Sequence, residues 1–335
     1  PGHRCFLARR GCRPTPLGPI LSAMSDRPLR CPRGSRFLWS VAFAALLAVP
    51  ANAASQQLIT AGSVGEFDWP SPDATISYGD GEFQFGYLRL PEGSGPHPVI
   101  VFMHGGCWLS VFDIRYTGMA EQAWADAGYA VWSLEYRRVG NPGGGWPGTF
   151  LDVATGTDHL TELANEYPLD LDRVIAIGHS AGGQLALWLA ARERIPSSSE
   201  LYASGPLPIH GVLALAPAPN LETLHSSGAC GPGVNGLMGG SPTVRPERYQ
   251  VGSPMQLMPV DVPQRVIVGA LDAQFGPSGR AYFQAASAAG SSPVTLREAP
   301  ESGHFEMVVP YTSTWPITLQ ELESLSAEMT QARNR

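Results

Sequence analysis

The chain has 335 residues, 44% of them hydrophobic, and a formal net charge of −7, with all 22 basic residues arginine. Eight of those arginines precede residue 54, so the remainder carries fourteen arginines against twenty-eight acidic residues. That acidic excess argues against nucleic acid or an anionic membrane surface as a partner.

The N-terminal stretch does not read as folded domain. Arg30, Arg33 and Arg36 precede an apolar run from Phe37 to Val49, which ends in Pro50-Ala51-Asn52-Ala53-Ala54. A basic region, a short apolar run and a small-residue site together read as a secretory signal peptide cleaved near Ala53. The run is short for a membrane span. The expected product is exported, periplasmic or extracellular, without stable membrane association once processed. Residues 1–53 are therefore read as upstream segment and signal peptide, and 54–335 as one domain with a sizeable core. Cys107 and Cys230 are the cysteines beyond residue 53. Two cysteines in an exported chain suggest a single disulfide, two separate thiols being the alternative. No CxxC, HExxH or helically spaced histidine pair is present, so no metal site and no cofactor are expected.

Residues 54–75 read as a loosely held lead-in. Ile76–Leu90 alternates with period two around Gly79-Asp80-Gly81, a β-hairpin pattern. Val99–Met103 is a continuous apolar run, as in a strand buried on both faces. It leads into His104-Gly105-Gly106-Cys107-Trp108. A helix is expected over Thr117–Ala127, a strand over Ala130–Leu134 and a helix over Phe150–Glu166. The apolar run Val174–Ile177 then ends in Gly178-His179-Ser180-Ala181-Gly182, followed by an Ala/Leu-rich helical pattern reaching about Arg194. Gly211–Leu215 reads as a strand. Residues 217–259 are rich in Gly and Pro and too long for a simple connection, so they are expected to cover the site as an irregular cap, with a short helix near Leu221. A strand at Arg265–Val268, a helix at Pro277–Ala289, a strand at Val294–Glu298 and a C-terminal helix from Thr318 complete the pattern. Alternating strands and helices argue a parallel sheet with helices on both faces and loops converging at the strand C-termini.

Strand, sharp turn with a serine at its apex, then helix is the geometry that exposes a nucleophilic hydroxyl beside a helix N-terminus. Asp272 follows the strand Arg265–Val268, and His304 follows the last strand. Serine, then acid, then histidine is the chain order of an α/β-hydrolase triad. Serine needs a base to remove its proton, and an imidazole needs a carboxylate to fix its tautomer. Asp261 is the rival acid, but it precedes its strand and falls at the opposite rim. Among the other histidines, His179 flanks the serine but is expected to point elsewhere, and His104 is expected to make structural hydrogen bonds. The glycine loop after Met103 supplies a second oxyanion donor: the Ala181 N–H with that of Gly106 or Cys107. Trp108, Trp146 and Phe305 are candidates for lining the acyl or alcohol pocket.

Taken together, HGGCW, GHSAGG, GALDAQF and SGHFE resemble an α/β-hydrolase esterase group that includes kynurenine formamidases and small bacterial carboxylesterases. The similarity runs over roughly residues 75–310 and departs at Cys107, where formamidases usually carry a bulky aromatic residue. It implies an α/β-hydrolase fold, with a mostly parallel central sheet, an antiparallel hairpin at one edge, helices on both faces and a short cap. The activity it implies is that of a serine esterase acting on a small-molecule ester through an acyl-enzyme. An arylformamidase is the alternative; an inactive binding protein would require a broken triad, which this chain does not have.

Overall fold

The computed structural model describes residues 57–67 and 69–333. The expected signal peptide and its cleavage site lie outside the described residues. The chain enters through a single helical turn, α1 (Ala61–Val64), and two strands, β1 (Ala74–Ser77) and β2 (Phe85–Arg89). Strand β3 (His97–Met103) is followed by α2 (Gly118–Asp126), β4 (Ala130–Leu134), α3 (Gly148–Asp158) and the short α4 (Leu160–Leu163). Next come β5 (Leu169–His179), α5 (Ala181–Ala190) and β6 (Gly211–Leu215). An excursion containing α6 (Leu221–Ser227), α7 (Gly233–Met238) and α8 (Pro246–Gly252) precedes β7 (Gln264–Gly269). Helix α9 (Gly276–Ala288), strand β8 (Val294–Ala299) and helix α10 (Trp315–Arg333) close the fold.

The eight strands form one sheet in the order β1-β2-β4-β3-β5-β6-β7-β8. Strand β2 pairs antiparallel with both β1 and β4, and the remaining pairings are parallel. The sequence explains the order. Strands β4, β6 and β7 are buried at every position, whereas β1 at one edge, and β8 at the other over its first four residues, alternate between half-buried and exposed positions. Continuous apolar runs suit strands covered on both faces, and alternation suits edges. One face packs the buried residues of α3, α5 and α9, with Phe150, Leu185, Trp188 and Tyr282 in its core. The other packs α2 and α10 through Trp124, Trp315, Leu322 and Leu325.

Two expectations need correction. Residues 217–259 are not irregular: they hold three short helices, α6 and α7 each ending at a left-handed glycine, Gly228 and Gly239. Segments of six or seven residues are too short for a 3.6-residue period to show, and their Gly and Pro content reads as loop. Nor is this region chiefly a lid. Leu221, Leu224, Val234, Leu237, Met238 and Tyr249 are packed into the core that holds α5. The lead-in, by contrast, is not loose. Thr60 and Ser63 form a reciprocal capping box around α1, Val64 is buried, and the Ile59 N–H donates to Glu306 Oε1 at 2.6 Å.

Candidate active site

The C-termini of the parallel strands share one rim, and three loops there converge. Ser180 sits between β5 and α5 with φ 57° and ψ −117°, a left-handed conformation rarely taken by a residue with a side chain. The flanking glycines make the turn possible. A Cβ on Gly178 would lie 2.0 Å from Gly182 O, and one on Gly182 would lie 2.0 Å from Met103 O. The Ser180 N–H donates to Leu215 O at 2.8 Å, which ties the turn to β6. Helix α5 is buried almost all round, and its one polar core residue, Gln184, is hydrogen-bonded through both its amide oxygen and its amide nitrogen. It accepts from Trp108 Nε1 at 3.1 Å and donates to Gly252 O at 2.8 Å.

Asp272 follows β7 and holds partners on both carboxylate oxygens. Its Oδ1 accepts from the Phe275 N–H at 2.9 Å and the Gln274 N–H at 3.2 Å, capping the turn before α9. Its Oδ2 accepts from His304 Nδ1 at 2.7 Å. Burial pushes the Asp272 carboxyl up, but the His304 N–H and the two backbone donors outweigh it and hold the group below its ordinary value. The His304 ring stacks on Phe275 at 4.4 Å and meets Phe305 edge-on at 5.1 Å. Asp261, the rival acid, is exposed and pairs with Arg194.

Ser180, His304 and Asp272 line one cavity of about 230 Å³ with Gly106 and Cys107. Ser180 Oγ and His304 make no hydrogen bond to each other here. In unliganded hydrolases that bond commonly forms or tightens only as substrate binds. The Gly106, Cys107 and Ala181 N–H groups make no hydrogen bond to another protein group among the described residues. Gly106, Cys107 and Trp108 have φ of 110°, 53° and 58°. Two successive side-chain-bearing residues in that region cost of order 1–2 kcal/mol each. The loop is held on both sides. The Val139 N–H donates to Trp108 O at 2.8 Å, and Cys107 is bonded to Cys230 in a disulfide with a Cα–Cα distance of 5.4 Å. His104 supports the loop from below, with Nδ1 against Gly105 O at 2.8 Å, Nε2 against Glu135 Oε1 at 3.2 Å, and its ring on Tyr136.

The substrate-binding expectations fare unevenly. Phe305 lines the cavity. Trp108 does not: its ring is fully buried in the core, because its φ turns the side chain away from the opening toward Gln184. Trp146 also lies elsewhere, packed edge-on against Phe150 under the Arg248 guanidinium, with Nε1 donating to Glu200. The other walls come from Ala61 and Val64 of α1, Phe112 and Tyr116 of the loop after Trp108, Ala229, Gln274 and Phe275. None had been assigned to the pocket from the sequence, although Gln274 and Phe275 end the GALDAQF segment. They come from four stretches of chain far apart in sequence.

His179 is the other residue the sequence did not assign to the site. It lies beneath His304, their ring centroids 4.8 Å apart. One tautomer satisfies all its contacts. The Gly105 N–H donates to Tyr116 Oη at 2.7 Å, the Tyr116 hydroxyl donates to His179 Nδ1 at 2.8 Å, and His179 Nε2–H donates to His304 O at 2.8 Å. This buried chain links the glycine loop, the serine turn and the histidine loop. Burial and the neighbouring His304 charge push His179 down to about 3, so it stays neutral. Its place beside the serine in a sharp turn could have suggested burial, but not this partner set.

The eight-stranded sheet, the serine turn and the loop positions define an α/β-hydrolase. The chain belongs to the BD-FAE family, an α/β-hydrolase esterase family that residues 88–277 match. Among curated proteins, it is 29% identical over 127 residues to a probable isoprenylcysteine alpha-carbonyl methylesterase of Arabidopsis thaliana, an alignment covering 38% of this chain and 26% of that protein. It is 33% identical over 130 residues to neutral cholesterol ester hydrolase 1 of Mus musculus, covering 35% and 30%. The chain thus spans less than a third of the length of these curated relatives. Among solved structures, an esterase B from Lactobacillus rhamnosis superposes with a TM-score of 0.67 at 21% identity, covering 80% of this chain and 93% of that one. A thermophilic esterase of Thermogutta terrifontis with propionate bound superposes at 0.61 and 17% identity, covering 79% and 97%. At these identities the superpositions establish the fold.

Proposed function

We propose that this chain is an exported serine hydrolase that cleaves carboxylic esters with a small acyl group through an acyl-enzyme. The observation that carries the reading is the His304–Asp272 pair, bonded at 2.7 Å, opening into the same cavity as Ser180 and the Gly106–Cys107 peptides. Ser180 Oγ attacks the ester carbonyl while His304 Nε2 takes its proton. Asp272 holds Nδ1–H, fixes the tautomer and stabilises the imidazolium. The tetrahedral oxyanion is received by the Ala181 N–H and that of Gly106 or Cys107, donors fixed before reaction begins. The imidazolium then protonates the leaving alkoxide, and water repeats the sequence to release the acid.

Cavity size supports a small acyl group. About 230 Å³ lies below the roughly 300–1,000 Å³ of pockets that take drug-sized ligands. Phe112, Phe275, Phe305 and Val64 make the walls largely apolar. The names of the curated relatives, a probable methylesterase and a cholesterol ester hydrolase, agree with ester chemistry. The disulfide agrees with an oxidising compartment, and so with export.

The test is a panel of p-nitrophenyl acetate, butyrate, octanoate and palmitate with N-formylkynurenine, each run beside Ser180→Ala. The expected result is highest kcat/KM on acetate or butyrate and a loss of at least about 10³-fold in the variant. Preference for octanoate and palmitate would refute the small acyl group, and preference for N-formylkynurenine would replace ester by formamide hydrolysis.

A further inference from the structure

The Cys107–Cys230 bridge ties the glycine loop covalently to a turn that it otherwise only touches. Cys107 lines the cavity, and its backbone N–H has no protein partner among the described residues. Its backbone sits in the left-handed region between two other positive-φ residues. Trp108 and Leu109 are anchored by the buried indole and by the turn to Gly106 O. Cys107 itself has no side-chain anchor but the disulfide. Its carbonyl rests against Gly233, where an added Cβ would lie 2.3 Å from Cys107 O.

At the other end, Cys230 is buried in a tight turn. The Gly233 N–H donates to Cys230 O at 2.9 Å, and Gly231 has φ 53°. That turn is tied to the acid loop as well, because Gln274 Nε2, two residues after Asp272, donates to Ala229 O at 2.6 Å. Ala229 and Cys107 both line the cavity. The turn at 228–233 therefore bridges the acid loop and the glycine loop, and its bond to the glycine loop is covalent.

We propose that Cys230 is a positioning residue: through its disulfide it holds the Cys107 peptide in the orientation that receives the oxyanion, so that hydrolysis depends on an intact bridge. The proposal rests on the serine-hydrolase reading above. Opening the bridge with a water-soluble trialkylphosphine breaks the S–S bond and leaves two thiols, while the phosphine becomes its oxide with oxygen from water. The Cys107 side chain is then free to leave its pocket wall, and the left-handed peptide loses its covalent restraint.

The experiment uses the full chain with p-nitrophenyl butyrate, comparing untreated protein, phosphine-reduced protein, Cys230→Ser and Ser180→Ala. Each sample is checked for folding by circular dichroism and for thiols by alkylation and mass spectrometry. A trifluoromethyl ketone, which forms an oxyanion on binding, supplies a second readout. For folded, reduced protein the expected kcat loss is about 10- to 100-fold, below the roughly 10²–10³ of deleting an oxyanion donor outright. KM should change less than about threefold, and the ketone Ki should rise in step with the kcat loss. Cys230→Ser should match the reduced protein and not respond to phosphine, and reoxidation should restore the wild type alone. Two counted thiols with kcat within twofold of the untreated value would overturn the proposal. So would a kcat loss that only tracks loss of the circular dichroism signal, because the bridge would then be purely structural. Turnover retained by Ser180→Ala would sink the underlying serine reading, a result distinct from either.

Discussion

A large share of the fold's acid sensitivity above pH 4.5 should be traceable to one side chain. His179 is buried and neutral beneath the site, held by Tyr116 and by the His304 carbonyl, with the ionisable groups of His304, Asp272 and His104 nearby. Burial and His304 lower it from 6.5 to about 3. Between those two values the unfolded chain binds a proton that the native state does not. Stability therefore falls as pH falls from about 6.5 toward 3, by about 1.4 kcal/mol for each pH unit. By pH 4.5 the loss from this residue is about 3 kcal/mol. Asp272 acts in the same direction but lower: its stabilisation is present above the unfolded value of 3.8 and is lost as pH drops through the depressed folded value. Asp272 thus acts below the window from pH 4.5 to 7.5, and Glu121, whose carboxyl burial raises, is common to both proteins and cancels in the comparison. The perturbation is His179→Gln, which keeps an amide donor for His304 O and removes the titrating ring. Urea unfolding of both proteins across that window is the assay. The wild-type stability advantage should shrink by about 3 kcal/mol from pH 7.5 to 4.5. Parallel profiles for the two proteins would refute the reasoning.

Three further outcomes follow from the geometry. Asp272→Asn should lower kcat by about 10⁴-fold with little change in KM, because an amide facing Nδ1 favours the tautomer that cannot accept the serine proton; steady-state kinetics decide it. Val64→Ala should widen the cavity where α1 closes it and raise the hexanoate-to-acetate ratio of kcat/KM about tenfold, in line with about 1–3 kcal/mol per methylene. Gly182→Ala should cost about 3 kcal/mol or more, measured by thermal or urea unfolding, because its Cβ would meet both Met103 O and His104 O.

What was legible in the sequence depended on how local its cause was. Val99–Met103, Val174–Ile177 and Gly211–Leu215 declare central strands, because burial on both faces demands apolar residues at every position. Ser180, Asp272 and His304 were legible because each follows a strand end, and parallel topology brings those ends to one rim. The cavity walls were not, because Val64, Phe112 and Phe275 meet only through tertiary packing. Trp108 illustrates the limit: an aromatic in a catalytic loop suggests a pocket wall, but two successive left-handed residues rotate it into the core. His179 shows the reverse, where a sharp turn that hides a side chain from solvent also sets it under the neighbouring loop.

The central claim, a covalent acyl group on Ser180, is open to direct measurement. The full chain is mixed with p-nitrophenyl butyrate at acidic pH, quenched within milliseconds and digested for mass spectrometry. The account expects a burst of nitrophenol of about one equivalent and a butyryl adduct on the peptide containing Ser180, both missing in Ser180→Ala. An adduct on another residue, or a burst that survives the substitution, would contradict it.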